Sequence, residues 1–282
     1  MLQAKDDLGE MVSLAKPPQR IVCLSPNAVE IAFALGLGER VVGVSAFSDY
    51  PPEAKEKPVV GRYDRPSIEK IASVNPDLVL LGYGNPKEII PVLRNLEIPL
   101  FGINPKSIED IIEVMERVGA VCGVEAEAKQ AAANLRTRLE KARERLPVDN
   151  QRRVRVFVII DEESLWTVGA DTLQDQILRL AGGDNIASFR HSYFPISKER
   201  LFEAQPEVIL ATGDPTQEEV IRRRLSARAD LSALPAVRQG NIVVVDEDIY
   251  SRPGPRVVDA VEHLSQLLSK FPSKQSAPPH ED

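Results

Sequence analysis

"SIEKIASVNPDLVLLG", Ser67–Gly82, and "SKERLFEAQPEVILATG", Ser197–Gly213, are two stretches of this chain with nearly the same pattern. Each begins with Ser, carries Glu two residues later and Pro seven residues after that Glu, and ends in an apolar run. Ser favours the start of a helix, and a short run of Val, Ile and Leu favours a buried strand. We therefore predict that one helix–strand element occurs twice in this chain.

The rest of the chain also alternates between apolar runs and helix-forming stretches. Such alternation is typical of parallel sheets covered by helices on both faces. Between two series of this kind, Val124–Leu146 is rich in Ala, Glu, Lys and Arg without Gly or Pro, which predicts a long helix. The predicted fold class is α/β, with two Rossmann-like lobes of mainly parallel sheet joined by that helix. The predicted boundaries are 17–123 for the first lobe, 124–147 for the connecting helix, 148–270 for the second lobe and 271–282 for a disordered tail.

Composition and charge narrow the class of protein. The chain has 282 residues, 43% of them hydrophobic, and a net charge of −7, which disfavours a nucleic-acid partner. The two cysteines, Cys23 and Cys122, have no metal-like spacing, and we expect them to pack as small apolar side chains. The first residues lack a leader pattern, which leaves a cytoplasmic protein and a secreted protein with its leader removed as alternatives.

The tyrosines and the single tryptophan lie beside Pro or Gly, or just after apolar runs. The carboxyl ends of parallel strands are where open α/β sheets bind ligands, so these rings predict a cleft between the lobes for a large, flat, partly apolar molecule. The alternative is that they only seal loops. Arg62, Arg65, Asp248 and Arg252 are candidates for binding polar groups, unless they are simply solvated. The aromatic candidates are Tyr50, Tyr63, Tyr83, Trp166, Tyr193 and Tyr250.

Known catalytic motifs are missing from the sequence. We find no phosphate-binding loop, nucleophile elbow or zinc-protease motif, and the three histidines are not clustered. The sequence therefore favours a binding protein without a metal site. An enzyme on a duplicated α/β scaffold and a purely structural module are the alternatives from other functional classes.

Glu69 and Glu199 occupy the same place in the two repeated stretches. Acidic residues in the first turn of a helix stabilise it, which explains both without any function. The functional alternative is that one acidic side chain on each lobe meets a pseudo-symmetric partner. The residues alone do not decide between these interpretations.

Five segments of the chain resemble a known family, and the resemblance covers about Pro17–Leu268. The chain resembles the class III substrate-binding proteins of ABC importers, which carry cobalamin, haem or ferric siderophores, and is most similar to the cobalamin-binding members. This resemblance implies an extracytoplasmic or periplasmic protein, whose leader is absent from this chain and which is a lipoprotein in some cases. The segments are LSPNAVEIAFALG, GVSAFSDYPPEA, IEKIASVNPDLV, AGGDNI and SRPGPRVVDA.

The resemblance also implies roles for individual residues. Tyr50 corresponds to a ligand-contacting aromatic residue, and Tyr63 stands where the family has a cleft tryptophan. Glu69 and Glu199 correspond to the glutamates that pair with arginines of the permease. The other positions that match ligand contacts are Trp166, Tyr193 or Phe194, Asp248 and Arg252.

The expected function is a non-enzymatic, monomeric receptor that binds cobalamin between its lobes and delivers it to an ABC permease with its ATPase. No resident cofactor is expected. Tyr63 lies close to the position of an iron-ligating tyrosine in haem-binding relatives, so haem is an alternative ligand. A ferric siderophore is the other alternative.

Overall fold

A computed structural model describes residues 1–82, 84–145, 153–161 and 163–271. The chain forms two compact units. Unit 1 consists of Met1–Thr137 and Arg252–Pro255, and unit 2 consists of Arg138–Ser251 and the residues from Arg256 onward.

Unit 1 contains a four-stranded parallel sheet and two short antiparallel hairpins. Its strands are β1 (Leu2–Lys5), β2 (Met11–Leu14), β3 (Ile21–Cys23), β4 (Val41–Val44), β5 (Gly61–Arg62), β6 (Arg65–Pro66), β7 (Leu78–Leu81) and β8 (Leu100–Gly102). The parallel sheet has the order β4-β3-β7-β8. Its helices are α1 (Pro26–Ala34), α2 (Ile68–Ser73), α3 (Ile89–Asn95), α4 (Ile108–Cys122) and α5 (Glu125–Glu144), the last of which extends into unit 2.

Unit 2 repeats this arrangement with a second four-stranded parallel sheet. Its strands are β9 (Val154–Ile159), β10 (Trp166–Val168), β11 (Gly183–Asn185), β12 (Tyr193–Pro195), β13 (Val208–Gly213) and β14 (Ile242–Asp246). The parallel sheet has the order β11-β9-β13-β14, while β10 and β12 form a separate antiparallel ribbon. Its helices are α6 (Leu173–Leu180), α7 (Lys198–Ala204), α8 (Glu218–Ser226), α9 (Pro235–Arg238), α10 (Glu247–Ser251) and α11 (Val257–Leu268).

The two parallel sheets share one topology. In each, the second strand along the chain lies at one edge, followed in space by the first, the third and the fourth. The repeated stretches become α2 with β7 and α7 with β13, so each forms the third strand of its sheet and the helix before it. The predicted α/β fold class with two parallel sheets is confirmed.

Local capping explains why both repeated helices begin where they do. The side chain of Ser67 accepts a hydrogen bond from the amide of Lys70, and that of Ser197 accepts one from the amide of Arg200. Each bond satisfies an amide that the helix itself leaves unpaired. The serine that begins each stretch therefore has the same structural role twice.

One hydrophobic cluster of unit 1 forms where α2 and α3 pack against the sheet. Val22 and Val79 are fully buried on neighbouring strands, and Ile71 and Leu93 are the helical side chains that pack in the same cluster. Cys23 is also fully buried, and neither it nor Cys122 forms a disulfide. Burial raises the pKa of the Cys122 thiol to about 12, so both cysteines behave as the small apolar side chains that were expected.

The hairpin of β1 and β2 was not predicted from the sequence. Its turn is held by Asp6, whose buried carboxylate accepts hydrogen bonds from the amides of Leu8, Glu10 and Gly102 at 2.8–3.0 Å. Asp7 adds an ion pair of 2.7 Å with Arg117 on α4. The start of the chain is thereby fastened to the carboxyl end of β8.

The long helix predicted over 124–147 is observed as α5. Arg136 pairs with Glu109 and Glu116 of α4 at 2.8 Å each. Arg138 pairs with Asp259 and Glu262 of α11 at 2.6 Å each. Residues 146–152, which include the end of the predicted helix, lie outside the described residues. So do residues 272–282, which are all but one of the residues of the predicted tail. Among the described helices, none has the length and apolarity that a transmembrane span needs.

Candidate ligand-binding surfaces

In unit 1, aromatic side chains project from loops at the carboxyl end of the sheet. The loop after β4 carries Phe47 and Tyr50, which are 60% and 42% exposed, and Tyr63 in the turn between β5 and β6 is 37% exposed. The loop and the hairpin lie side by side, because the amide of Ala46 donates to the carbonyl oxygen of Gly61 at 2.7 Å. We call Phe47, Tyr50 and Tyr63 the unit 1 surface.

The loop that follows β7 holds Tyr63 in place. The Asn85 side-chain amide donates to the carbonyl oxygens of Tyr63 and Leu24 at 2.7 and 2.8 Å, and its oxygen accepts from the amide of Gly82. Gly84 adopts φ +85°, and a Cβ there would lie 2.9 Å from the Tyr63 ring. A glycine at this position therefore lets the tyrosine ring lie directly on the backbone.

A cation also covers the unit 1 surface. The Arg62 guanidinium lies 5.6 Å from the centre of the Phe47 ring and forms a 2.8 Å ion pair with Asp64. The hydrogen bond from Arg62 lowers the pKa of the Asp64 carboxyl. Since both side chains are exposed, this pair orients Arg62 over the ring more than it stabilises the fold.

Arg252, which was predicted to contact ligand, is engaged within unit 1. Its guanidinium donates to the Asp49 carboxylate at 2.7 Å and to the Phe47 carbonyl oxygen at 3.2 Å. It also lies 3.6 Å from the carboxylate of Glu30, which is buried in α1. The residue therefore links the loop that carries Tyr50 to the interior of the unit.

In unit 2, the ribbon of β10 and β12 presents the corresponding aromatic side chains. Trp166 is opposite Pro195 and Tyr193 is opposite Val168, so Trp166 and Tyr193 lie on one face, with 39% and 43% of their surface exposed. The ribbon adjoins the carboxyl end of β9, because the amide of Ile160 donates to the Trp166 carbonyl oxygen. We call Trp166 and Tyr193 the unit 2 surface.

The register of this ribbon separates two neighbouring candidates. Phe194 is opposite Thr167 on the other face, where both side chains are buried. The Tyr193 hydroxyl donates to Gln174 at 2.9 Å, and the Gln174 amide in turn donates to Ser251. Tyr193 is thus an exposed ring with an anchored hydroxyl, whereas Phe194 belongs to the core of unit 2.

The candidates on α10 lie deeper than the ribbon. Tyr250 is 2% exposed, and its hydroxyl lies 3.3 Å from Nδ1 of His263. Burial raises the pKa of the Tyr250 hydroxyl, and the Asp246 carboxylate raises it further. Asp248 is half-buried in the first turn of α10. We leave Tyr250 and Phe194 out of the ligand surfaces, because neither ring reaches solvent.

Glu69 and Glu199 occupy equivalent exposed places in the first turns of α2 and α7. Glu199 accepts hydrogen bonds from its own amide and from the Ser197 hydroxyl, and these bonds lower the pKa of its carboxyl. The interpretation as helix-stabilising charges is satisfied at both positions. Their equal placement on two equivalent helices is also what a pseudo-symmetric docking partner requires.

Two exposed phenylalanines, Phe47 and Phe189, were not among the residues predicted from the sequence. Phe47 lies three residues before Tyr50, so extending the analysis to every aromatic residue of that loop would have found it. Phe189 is 53% exposed and stacks under Arg200 at 4.7 Å. Tyr83, the remaining candidate, lies outside the described residues.

Metal-binding and catalytic side-chain groups were also sought outside these surfaces. No group of three or more His, Cys, Asp or Glu side chains with a metal-binding arrangement occurs in the part of the chain that the structure describes. His191 forms an exposed pair with Asp171, in which Nδ1 of the imidazole ring lies 2.7 Å from a carboxylate oxygen. Both side chains of this pair are largely exposed to solvent.

Comparison with known proteins identifies the family. The model of the family described as "Periplasmic binding protein" matches residues 21–249, which is most of the chain. The chain belongs to the periplasmic binding protein family. The match begins at β3 and ends in α10, so it includes both parallel sheets and both aromatic surfaces.

Individual relatives of this periplasmic binding protein are named for two ligands. A vitamin B12-binding protein of Pectobacterium carotovorum is 32% identical over 263 residues, which is 92% of each chain. The solved vitamin B12-binding protein BtuF of Vibrio cholerae has a TM-score of 0.76 at 31% identity, covering 90% of this chain and 98% of that one. The haem-binding protein RhuT of Roseiflexus has a TM-score of 0.78 at 30% identity, covering 89% and 98%.

Proposed function

We propose that this chain is the extracytoplasmic receptor of an ABC importer and that its ligand is cobalamin or a related corrinoid. The observation that carries the proposal is the pair of aromatic surfaces, one at the carboxyl end of each of two equivalent parallel sheets. Relatives named for vitamin B12, similar over nearly the whole chain, support the ligand class.

The chemistry of these surfaces suits a corrinoid. A corrin ring is broad and apolar across its faces and carries amide groups around its edge. Tyrosine and tryptophan combine an apolar face with a polar atom, so they can pack against the ring and still donate hydrogen bonds. Tyr193 has its hydroxyl already bound to Gln174, which restricts the ring before any ligand arrives and lowers the entropic cost of binding.

Haem is the second candidate, and Tyr63 is the observation that favours it. A tyrosine oxygen is an established ligand of haem iron, and the Tyr63 ring is partly exposed in a turn fixed by Asn85. A haem-binding relative is about as similar in fold as the vitamin B12-binding one. A ferric siderophore remains a further alternative within this class of ligands.

Calorimetric titration with cyanocobalamin, followed by hemin in the same buffer, tests the ligand class. We expect a one-to-one complex with cyanocobalamin at micromolar affinity or tighter, equivalent to about −8 kcal/mol or better. Saturable binding of hemin without binding of cyanocobalamin would refute the corrinoid proposal. Binding of neither molecule would refute both candidates.

Single substitutions then separate the two candidates. Tyr63→Phe keeps the ring and removes the hydroxyl, so it should leave cyanocobalamin affinity nearly unchanged but abolish the visible absorption band of a tyrosine–iron complex with hemin. Trp166→Ala should weaken cyanocobalamin binding by about tenfold or more, because it removes a large apolar contact. Val92→Ala on α3, an exposed apolar residue remote from both surfaces in sequence, is the matched control.

We also propose that the protein carries its ligand without changing it and presents Glu69 and Glu199 to the permease. The absence of a known catalytic motif in the sequence supports a carrier. Chromatography of the ligand after prolonged incubation should return it intact. A corrinoid product altered by the pure protein would favour the enzyme alternative.

A further inference from the structure

We propose that Glu30, acting through Arg252, holds the Phe47–Asp49 loop and so positions Tyr50 for ligand. Glu30 is a positioning residue in this proposal, since its carboxylate lies inside unit 1 and Arg252 connects it with the loop. The part of the inference that concerns ligand rests on the proposed function. The part that concerns the loop is independent of it.

The contacts form a continuous chain from the interior to the loop. The Glu30 side chain is 1% exposed and lies 3.6 Å from Nη1 of Arg252. The same nitrogen donates to the Asp49 carboxylate at 2.7 Å, and Nη2 donates to the Phe47 carbonyl oxygen at 3.2 Å. Tyr50 directly follows Asp49, so the guanidinium holds the loop immediately before the ligand-contacting ring.

Backbone conformation shows why this loop needs holding. Phe47 has φ +67°, a left-handed conformation that costs free energy for a residue with a Cβ. Its carbonyl oxygen accepts a hydrogen bond from Arg252. A charge-assisted hydrogen bond at that oxygen helps to offset the cost and keeps the loop in one conformation.

The segment after Arg252 is shaped for the same contact. A Cβ on Gly254 would lie 3.0 Å from Oε2 of Glu30, which is closer than most side-chain contacts allow. The glycine therefore lets the segment that carries Arg252 approach the buried carboxylate. Arg252 itself is only 14% exposed, so its charge is better placed to act on the loop than to receive a large ligand.

Burial makes Glu30 the stronger end of this chain of contacts. An ion pair is screened by water at Asp49, whose side chain is 48% exposed, but much less at Glu30. Glu30 fixes where the guanidinium lies, and the guanidinium fixes Asp49 and Phe47. Loss of the Glu30 charge should therefore release the loop although Asp49 is unchanged.

Chymotrypsin cleavage of the ligand-free protein tests the loop. At the Phe47–Ser48 bond, Phe47 is exposed, whereas Ser48 is buried and the Phe47 carbonyl oxygen is bound by Arg252. The Phe189–Arg190 bond, after a similarly exposed phenylalanine in unit 2, is an internal control. We expect Glu30→Gln and Asp49→Asn each to speed cleavage at Phe47–Ser48 by about tenfold, with no change at Phe189–Arg190. Glu113→Gln, at an exposed position of α4, should change neither rate.

Several results would overturn the proposal. Unchanged cleavage at Phe47–Ser48 in both variants would show that the loop is held without these contacts, and equal acceleration at both bonds would show general destabilisation. If Glu30→Gln does not fold, Asp49→Asn decides alone, because Asp49 lies at the surface. In the double variant, we expect less acceleration than the product of the single effects, because both carboxylates act on one guanidinium.

Titration with cyanocobalamin then separates this proposal from the proposed function. If wild type binds, Glu30→Gln should weaken binding by about tenfold with an unchanged rate of chymotrypsin cleavage at Phe189–Arg190. Binding equal to wild type, together with faster cleavage, would refute the positioning of Tyr50 for ligand. If wild type does not bind cyanocobalamin, the proposed cobalamin ligand is refuted. The rate of cleavage at Phe47–Ser48 still tests whether Glu30 and Arg252 hold the loop.

Discussion

Replacing Asn85 should destabilise unit 1 and disturb the unit 1 surface at once. One side chain joins three separate parts of the fold, namely the end of β7 at Gly82, the end of β3 at Leu24 and the turn at Tyr63. Asn85→Ala removes all three hydrogen bonds.

The expected cost follows from those bonds. Each neutral hydrogen bond contributes about 1 kcal/mol net, so their loss should lower the free energy of unfolding by about 2–3 kcal/mol, allowing for some hydration of the partly buried site. Urea unfolding followed by circular dichroism measures this difference. Asn95→Ala, at an exposed position of α3, is the matched control and should change stability by less than about 0.5 kcal/mol.

Asn85→Asp tests the geometry of the same bonds. Its carboxylate can still accept from Gly82, but it would face the carbonyl oxygens of Leu24 and Tyr63 without a proton. The folded protein therefore favours the neutral acid, which places its pKa above the value of about 3.9 in the unfolded chain. The variant should be less stable than Asn85→Ala at pH 7 and recover as pH falls through that raised pKa.

Two outcomes would refute this reasoning about Asn85. One is a loss below about 1 kcal/mol in Asn85→Ala, which would mean that the three bonds are replaced by water at little cost. The other is an Asn85→Asp variant whose deficit relative to wild type is independent of pH between 4 and 7.

Four further predictions concern other candidate residues and the serine that caps α7. The double variant Glu69→Ala with Glu199→Ala should bind ligand normally but fail to stimulate the ATPase of the permease, and a loss of ligand binding would refute the docking role. Phe194→Ala should lower the free energy of unfolding by about 3–5 kcal/mol in urea titration. Tyr193→Ala should leave stability nearly intact but weaken ligand binding, and the reverse result would contradict the observed faces of the ribbon. Hydrogen bonds lower the pKa of Glu199 in the folded state. The stabilisation that Glu199 gives the folded protein is therefore fully present above the unfolded-state pKa of about 4.3, and it is lost as the pH falls through the folded-state pKa. Ser197→Ala should therefore flatten the acid side of the stability profile, and an unchanged profile would exclude this bond.

Much of the fold was predictable because its signals are local. The alternation of helix and strand, the long helix and the repeated element all follow from short segments whose periodicity and capping residues act over a few positions. The hairpin of β1 and β2 was not predictable in this way. The carboxylate of Asp6 accepts a hydrogen bond from Gly102, which is 96 positions away, and a local sequence pattern does not predict a contact over that distance.

The candidate site was predictable only in part. The sequence places Tyr50, Tyr63, Trp166 and Tyr193 near the carboxyl ends of strands. In the structure all four are partly exposed, Tyr50 and Tyr63 in a loop and a turn, and Trp166 and Tyr193 in the ribbon of β10 and β12. It also suggested Tyr250, whose ring is buried against His263. Aromatic residues near glycine and proline serve in cores as well as on surfaces, so residue type and spacing alone do not separate the two.

By itself, the sequence determined the two helix–strand elements, each with a serine cap and a glutamate in the first turn, because capping and periodicity depend on near neighbours. Only the tertiary structure decided that Tyr193 faces outward while Phe194 faces inward, since that depends on pairing with β10. The same holds for Arg252, whose partner Asp49 is 203 residues away. Contacts between such distant residues are set by the folded chain as a whole, because only folding brings their charges within reach.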